Sequence, residues 1–295
     1  MERISFYDQI AANKRKSILL MFVIFIVFIA LGYVISQIYS GGSFFFIMIL
    51  SIIFSLSYIL ISYYNSDKIA IASVGAKPAS NAEFRQYYNS VEGLTLASGM
   101  PMPRLYIMQN EQINAFATGR DPQHAVICVT TGALEKLNKQ ELEGVLAHEL
   151  SHVANFDIRF MTLVAVMVGM IAIVSEIFLR SLWYKGSGSS DRKGNAGAIL
   201  MLIGIVLAIL APIVVQLVQF AISRKREFTA DATAVKFTRY PVGLKNALKK
   251  IKNDAPMKVS KAIAPLFMSD PSRKLSNLFS THPPLEERIK VLERM

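Results

Sequence analysis

Two long stretches of this 295-residue chain carry no charge, and they set the first expectation. Every residue between Lys16 and Asp67 is uncharged, enough for two membrane helices of about 20 residues each. The polar break Ser36-Gln37, followed by Tyr39-Ser40-Gly41-Gly42-Ser43, divides the run and predicts helices over 17–37 and 43–63. A cleaved signal peptide has a shorter apolar core of about 7 to 15 residues, so this run reads as an uncleaved hairpin. The segment from Ala198 to Ile222 is a third uncharged span, with Pro212 and Gln216 inside it. Phe160 to Leu179 is a weaker fourth, because Glu176 interrupts it and an ionisable group in lipid is costly unless paired, interfacial or facing water. The flexible linker Tyr184-Lys185-Gly186-Ser187-Gly188-Ser189-Ser190 joins these last two, completing a second hairpin.

The period changes elsewhere. Asn138-Lys139-Gln140-Glu141 reads as a helix N-cap with Glu three residues on, and Leu142, Val145, Leu146, Leu150 and Val153 continue at helical spacing. Arg104 to Met108 and Ala125 to Val129 read as short strands, with Asn114-Ala115-Phe116-Ala117 between them. The predicted fold is mainly α with a small β-sheet (α+β), in a polytopic membrane protein with two transmembrane helical hairpins. Residues 1–66 form the first hairpin and 159–222 the second. Segments 67–158 and 223–295 together form one catalytic domain of about 165 residues, an ordinary domain size.

Composition supports the membrane reading. Hydrophobic residues make up 53% of the chain and charged residues 18%, whereas charges alone approach a quarter of an average soluble domain. A net charge of +11 raises the possibility of nucleic-acid binding. The basic residues cluster at the membrane flanks, however, where anionic lipid explains them more simply, so no nucleic-acid partner is expected. Arg3, Lys14, Arg15 and Lys16 precede the first span, its turn has no charge, and Arg224, Lys225 and Arg226 follow the last span. That distribution places the catalytic segments in the cytoplasm and the chain in the plasma membrane, although Arg180, Lys185, Arg192 and Lys193 oppose it. The one cysteine, Cys128, can form no intramolecular disulfide and reads as a core residue.

Candidate chemistry is concentrated in His148-Glu149-Leu150-Ser151-His152. Residues four apart on a helix share a face, so both histidines can reach one metal ion, with Glu149 beside it as a base for a metal-activated water. With 4 histidines in the chain, chance placement produces this pattern in roughly one chain in 400. A catalytic zinc keeps three protein ligands and one open position. Glu227 is the best third ligand, and Asp231, four residues on, shares its face and can orient a ligand histidine. On spacing alone, a solvated charged face fits these two carboxylates equally well. Since residues 148 and 227 flank 160–222, sharing one metal requires an even number of membrane crossings between them.

HELSHVANFD, then SRKREFTADA, with NAFATG before them and THPPLEERI after, resembles the HtpX family of membrane-embedded zinc endopeptidases across essentially the whole chain. The family is related more distantly to the CAAX prenyl endopeptidases. By that resemblance His148, His152 and Glu227 hold one zinc ion per chain, Glu149 is the catalytic base and Asp231 completes an ExxxD pair. The resemblance further implies proteolysis of damaged or misassembled membrane proteins in bacterial envelope quality control, with protein or peptide substrates and the lipid bilayer as partners. It also makes the stretch holding Asn114, Ala115 and Phe116 a substrate-side strand, whose edge binds extended peptide through main-chain hydrogen bonds. His282, in Thr281-His282-Pro283-Pro284, is a candidate oxyanion contact, with a capping or surface role as the alternative. His124 reads as structural or exposed. The runner-up functions are a CAAX-type prenyl endopeptidase and a non-catalytic membrane scaffold with a structural zinc site.

Overall fold

The computed structural model describes residues 6–36, 43–167, 224–259, 263–269, 271 and 283–295. Helices α1 (Phe6–Ser36) and α2 (Ser43–Ser73) are followed by strand β1 (Lys77–Pro78) and helix α3 (Arg85–Ser98). Strands β2 (Arg104–Met108), β3 (Ala115–Thr118) and β4 (Val126–Thr130) follow, then helices α4 (Thr131–Lys136) and α5 (Lys139–Ala154). Residues 157–167 are helical as well. Beyond 223 come α6 (Arg224–Thr238), α7 (Pro241–Asn253) and α8 (Leu285–Leu292). The mainly helical fold with a small sheet is as expected. The sheet is mixed, with β2 and β4 parallel and β1 and β3 antiparallel to their neighbours.

Helices α1 and α2 pack against each other as an antiparallel pair, shown by the ring contacts Phe28–Tyr58 nearer one end and Tyr33–Phe44 at the other. Their outer faces expose Ile18, Leu19, Phe22, Phe45, Phe46, Ile53, Phe54 and Leu60, a surface suited to lipid rather than water. Among the described residues, Phe44–Ser73 is long and apolar enough to cross a membrane, and most of it is not buried in the protein. The helix runs ten residues past the predicted end at 63, because Asp67, Ala70 and Ile71 pack into the globular domain. Arg104 at the start of β2 pairs with Asp67 there. The second predicted hairpin, beyond residue 167, lies outside the described residues, and so do Glu176 and His282. Its described beginning already packs on the first hairpin: Phe160, Leu163, Val164 and Met167 join Leu20 and Ile24 in one apolar cluster.

Helix α5 is the centre of the globular part. Its start is fixed by a capping box, in which Asn138 accepts from the Glu141 amide at 2.9 Å and Glu141 accepts from the Asn138 amide at 2.8 Å. From Leu142 to Val153 every residue except Glu143 is buried, between β3 and β4 on one side and α3, α6 and α7 on the other. Full burial of side chains such as Leu146 and Leu150 stabilises the fold by about 1.5 to 3 kcal/mol each. On the α7 side the two backbones touch. A Cβ on Gly144 would lie 2.5 Å from the Leu244 nitrogen, and one on Gly243 would lie 2.4 Å from the Gln140 carbonyl oxygen.

Candidate metal centre

Helix α5 presents His148 and His152 one turn apart, and α6 lies beside it and presents Glu227. All three are buried, and their donor atoms lie within 4.8 Å of one another. The two Nε2 atoms face each other at 3.2 Å. Glu227 lies 3.5 Å from His148 Nε2 through Oε2 and 3.7 Å from His152 Nε2 through Oε1. Donors held at zinc-ligand distance in a tetrahedron are separated by about 3.4 Å, so the donor set fits a single zinc ion. Two imidazoles and one carboxylate leave the fourth position for water or substrate, as catalytic rather than structural sites do.

Each histidine is oriented from behind. His148 Nδ1 meets Asp231 Oδ1 at 2.9 Å, and His152 Nδ1 meets Asp157 Oδ2 at 3.0 Å. A proton held on each Nδ1 by its carboxylate leaves the Nε2 lone pair directed at the shared centre. Spacing allowed Asp231 this role beside a solvated alternative, and the family resemblance included it in the site. Asp157 is a residue that spacing missed, since it lies past the end of α5 in a turn where Phe156 adopts φ +57°.

Arg288 is the second such residue. Its guanidinium is fully buried, donates to Asp231 and to the Met268 carbonyl, and lies 3.5 Å from Glu227. The signal was present: in α8 the positions Leu285, Ile289 and Leu292 form the apolar stripe, and Arg288 falls on that stripe rather than opposite it. Burial raises the Asp231 carboxyl, but Arg288 and His148 outweigh it and hold the group below the usual carboxylate value. For His148, burial and Arg288 push the pKa down, yet the hydrogen bonds to Asp231 and Glu227 prevail and raise it to about 9 in the metal-free protein.

Glu149 lies near both the donor set and the sheet. It is 1% exposed, its Oε1 has no hydrogen-bond partner among the described residues, and the backbone of Ala117 in β3 lies close enough to pull its pKa down. Burial raises its pKa, against the opposing pull of His148 and His152. A carboxyl held near the metal position with an unfilled acceptor is suited to taking and returning a proton.

Strand β3 is an edge of the sheet, and its outer side meets the chain itself. Phe116 forms an isolated bridge with Phe267, the Met268 amide donates to the Ala115 carbonyl at 2.8 Å, and Asn114 donates to the Ser269 carbonyl at 3.2 Å. Asn114, Ala115 and Phe116 are thus beside the centre but engaged by residues 267–269. His124 is half-exposed on the opposite edge of this loop, paired with Asp121 at 2.6 Å, and takes no part in the site.

Residues 81–295 match peptidase family M48. The whole chain is 46% identical to a "Protease HtpX homolog" of Caldanaerobacter subterraneus subsp. tengcongensis, covering 99% of that protein. It is 45% identical to one of Thermoanaerobacter pseudethanolicus, again covering 99%, and 43% identical to one of Dictyoglomus thermophilum, covering 96%. A crystal structure of S. mikatae Ste24p aligns over 96% of this chain and 65% of its own, with 19% identity and a TM-score of 0.47. A family match over residues 81–295 and likeness to the HtpX homologues over the full length agree: the chain belongs to peptidase family M48.

Proposed function

We propose that this peptidase is a zinc-dependent, membrane-embedded endopeptidase that cleaves damaged or misassembled membrane proteins, with one zinc ion per chain held by His148, His152 and Glu227. The observation that carries the proposal is the convergence of these three buried donors on one point, with the Glu149 carboxylate beside it. A bound zinc supplies Lewis acidity for the scissile carbonyl and for water at neutral pH. Glu149 then takes the proton of the attacking water and returns it to the leaving amine. Asp231 and Asp157 hold the two imidazoles in the ligating tautomer. Arg288 keeps Asp231 ionised and offsets the negative charge that Glu227 and Asp231 bring into the interior.

Peptide substrate lies along β3, with Asn114, Ala115 and Phe116 as main-chain and pocket contacts. That placement is favoured by the closeness of the Ala117 backbone in β3 to the Glu149 carboxylate. The chain crosses the plasma membrane in two hairpins, 1–66 and 159–222, and the globular part formed by 67–158 and 223–295 faces the cytoplasm. The lipid-suited faces of α1 and α2 support the first hairpin, and the uncharged 198–222 segment supports the second. A cysteine placed at Ser187 in a Cys128→Ser background would react with an impermeant maleimide in intact cells, and protection of that site would refute the outward loop. His282 remains a candidate contact for the oxyanion.

The decisive experiment pairs activity with metal content. Glu149→Gln should lose peptide cleavage by at least about 100-fold, the lower bound for a general acid–base group, while keeping zinc. Glu227→Ala should lose both. Substantial turnover in the Gln variant would remove Glu149 from the mechanism, and a structural scaffold would show no cleavage in the wild type either.

A further inference from the structure

The hydrogen-bond network behind the metal centre does not stop at Asp157. Its second oxygen, Oδ1, accepts from Asn13 Nδ2 at 2.7 Å, and the same amide nitrogen donates to the Asn155 carbonyl at 3.1 Å. Asn13 belongs to α1, 142 and 144 residues away in sequence, and is 4% exposed. Asn155 caps α5 directly after the HExxH turn, and Phe156, over whose ring Lys14 lies at 4.6 Å, takes the left-handed backbone that brings Asp157 back to His152. The nearest cation among the described residues, Arg226, is 3.8 Å from Oδ1, beyond hydrogen-bond reach. Asn13 is therefore the close donor to this oxygen among the described residues.

A carboxylate that fixes a ligand imidazole does so only if its own orientation is fixed, and one hydrogen bond to the ring leaves it free to rotate. Asn13 removes that freedom, clamping both the carboxylate and the turn that carries it. We propose that Asn13 is a positioning residue of the metal centre, acting through Asp157 on His152, so that the first membrane helix sets how firmly the ion is held. This rests on the reading of His148, His152 and Glu227 as the ligands. A purely structural Asn13, tying the hairpin to the globular part, would also be buried and bonded. It would not govern metal affinity in folded protein.

The test is chelator competition for zinc on the full chain in detergent, with the absorption spectrum of the cobalt-substituted protein as a second readout. Asn13→Ala and Asn13→Ser should bind zinc about tenfold more weakly, the lower end of the cost of losing an outer partner of a ligand, and should shift the cobalt bands. Ser17→Ala, which removes an equally buried group bonded only to the Asn13 carbonyl at 2.9 Å, should leave affinity unchanged. In an Asp157→Ala background, Asn13→Ala should cause no further loss. Asn13 variants that melt earlier yet bind zinc like the wild type overturn the proposal, as does full additivity with Asp157→Ala. A wild type that binds no zinc would instead overturn the ligand assignment itself, and this proposal with it.

Discussion

Arg288 grips Asp231 with two nitrogens, Nε at 2.9 Å to Oδ2 and Nη2 at 2.6 Å to Oδ1, and neither side chain is exposed. Arg288 is the electrostatic counterweight of the centre, since Glu227 and Asp231 would otherwise be buried beside each other without it. Arg288→Met should destabilise the metal-free protein by about 3 to 5 kcal/mol, the usual cost of stranding a buried charge. Arg288→Lys, a point charge without the two-pronged fork, should recover only part of this. Thermal melts in chelator decide the matter, and a Met variant as stable as wild type would show that water or another group already compensates Asp231.

The contact of α5 with α7 sets two effects against each other at Gly144. Helix propensity favours Gly144→Ala by roughly 0.8 to 1 kcal/mol. The new methyl would meet the Leu244 backbone at 2.5 to 2.7 Å, where no side chain can yield, and overpacking typically costs about 1 to 3 kcal/mol. The variant should therefore be less stable and, because the displaced helix carries both histidines, bind zinc more weakly. A stabilised variant would mean that α7 moves aside freely.

Asp254 ties the loop before β3 to the end of α7, accepting from the Ile113 amide at 2.6 Å and from Lys136 at 2.9 Å. Burial raises its pKa, but these donors together outweigh that and hold it below the ordinary value of 3.8. A depressed carboxyl contributes stability above its unfolded pKa and loses that contribution as pH falls through its folded one. The stability gap between wild type and Asp254→Asn, both kept metal-free, should be constant from neutral pH down to about 5 and then close in the acid range. A gap that widens in acid would contradict the assignment.

Peptide and chain compete for β3 if substrate pairs there. Met268→Pro removes the amide that occupies the Ala115 carbonyl, so KM for an extended peptide should fall by about two- to tenfold, the worth of one hydrogen bond. Since Glu149 is untouched, kcat should hold. An unchanged KM in a folded variant would place the substrate elsewhere.

Local signals made part of this legible from the sequence. The capping box at Asn138 and Glu141, the i, i+4 histidines, the strands expected over 104–108 and 125–129 (the second observed one residue later), and the buried Cys128 all follow from short-range pattern, which reports which face of an element is inward. Glu227 and Asp231 were visible as one helix face, but a charged face alone cannot say whether it meets water or a metal. The partnerships of Asp157 with His152 and Asn13, and the pairing of Phe267 with the β3 edge, were not legible. The first runs through an irregular turn and the others join residues far apart in sequence, where no period carries information.

The centre draws on positions 13, 148, 157, 227, 231 and 288, so its parts leave the ribosome in the order membrane helix, ligand helix, hydrophobic segments, third ligand and counter-charge. A nascent chain still short of Arg288 holds the histidines and the base but not the charge balance that lets Glu227 and Asp231 be buried beside them. Since domains assemble as their segments emerge, the donor set closes only after residues 160–222 have been made. Synthesis order thus makes the buried charge balance the last part of the centre to be completed.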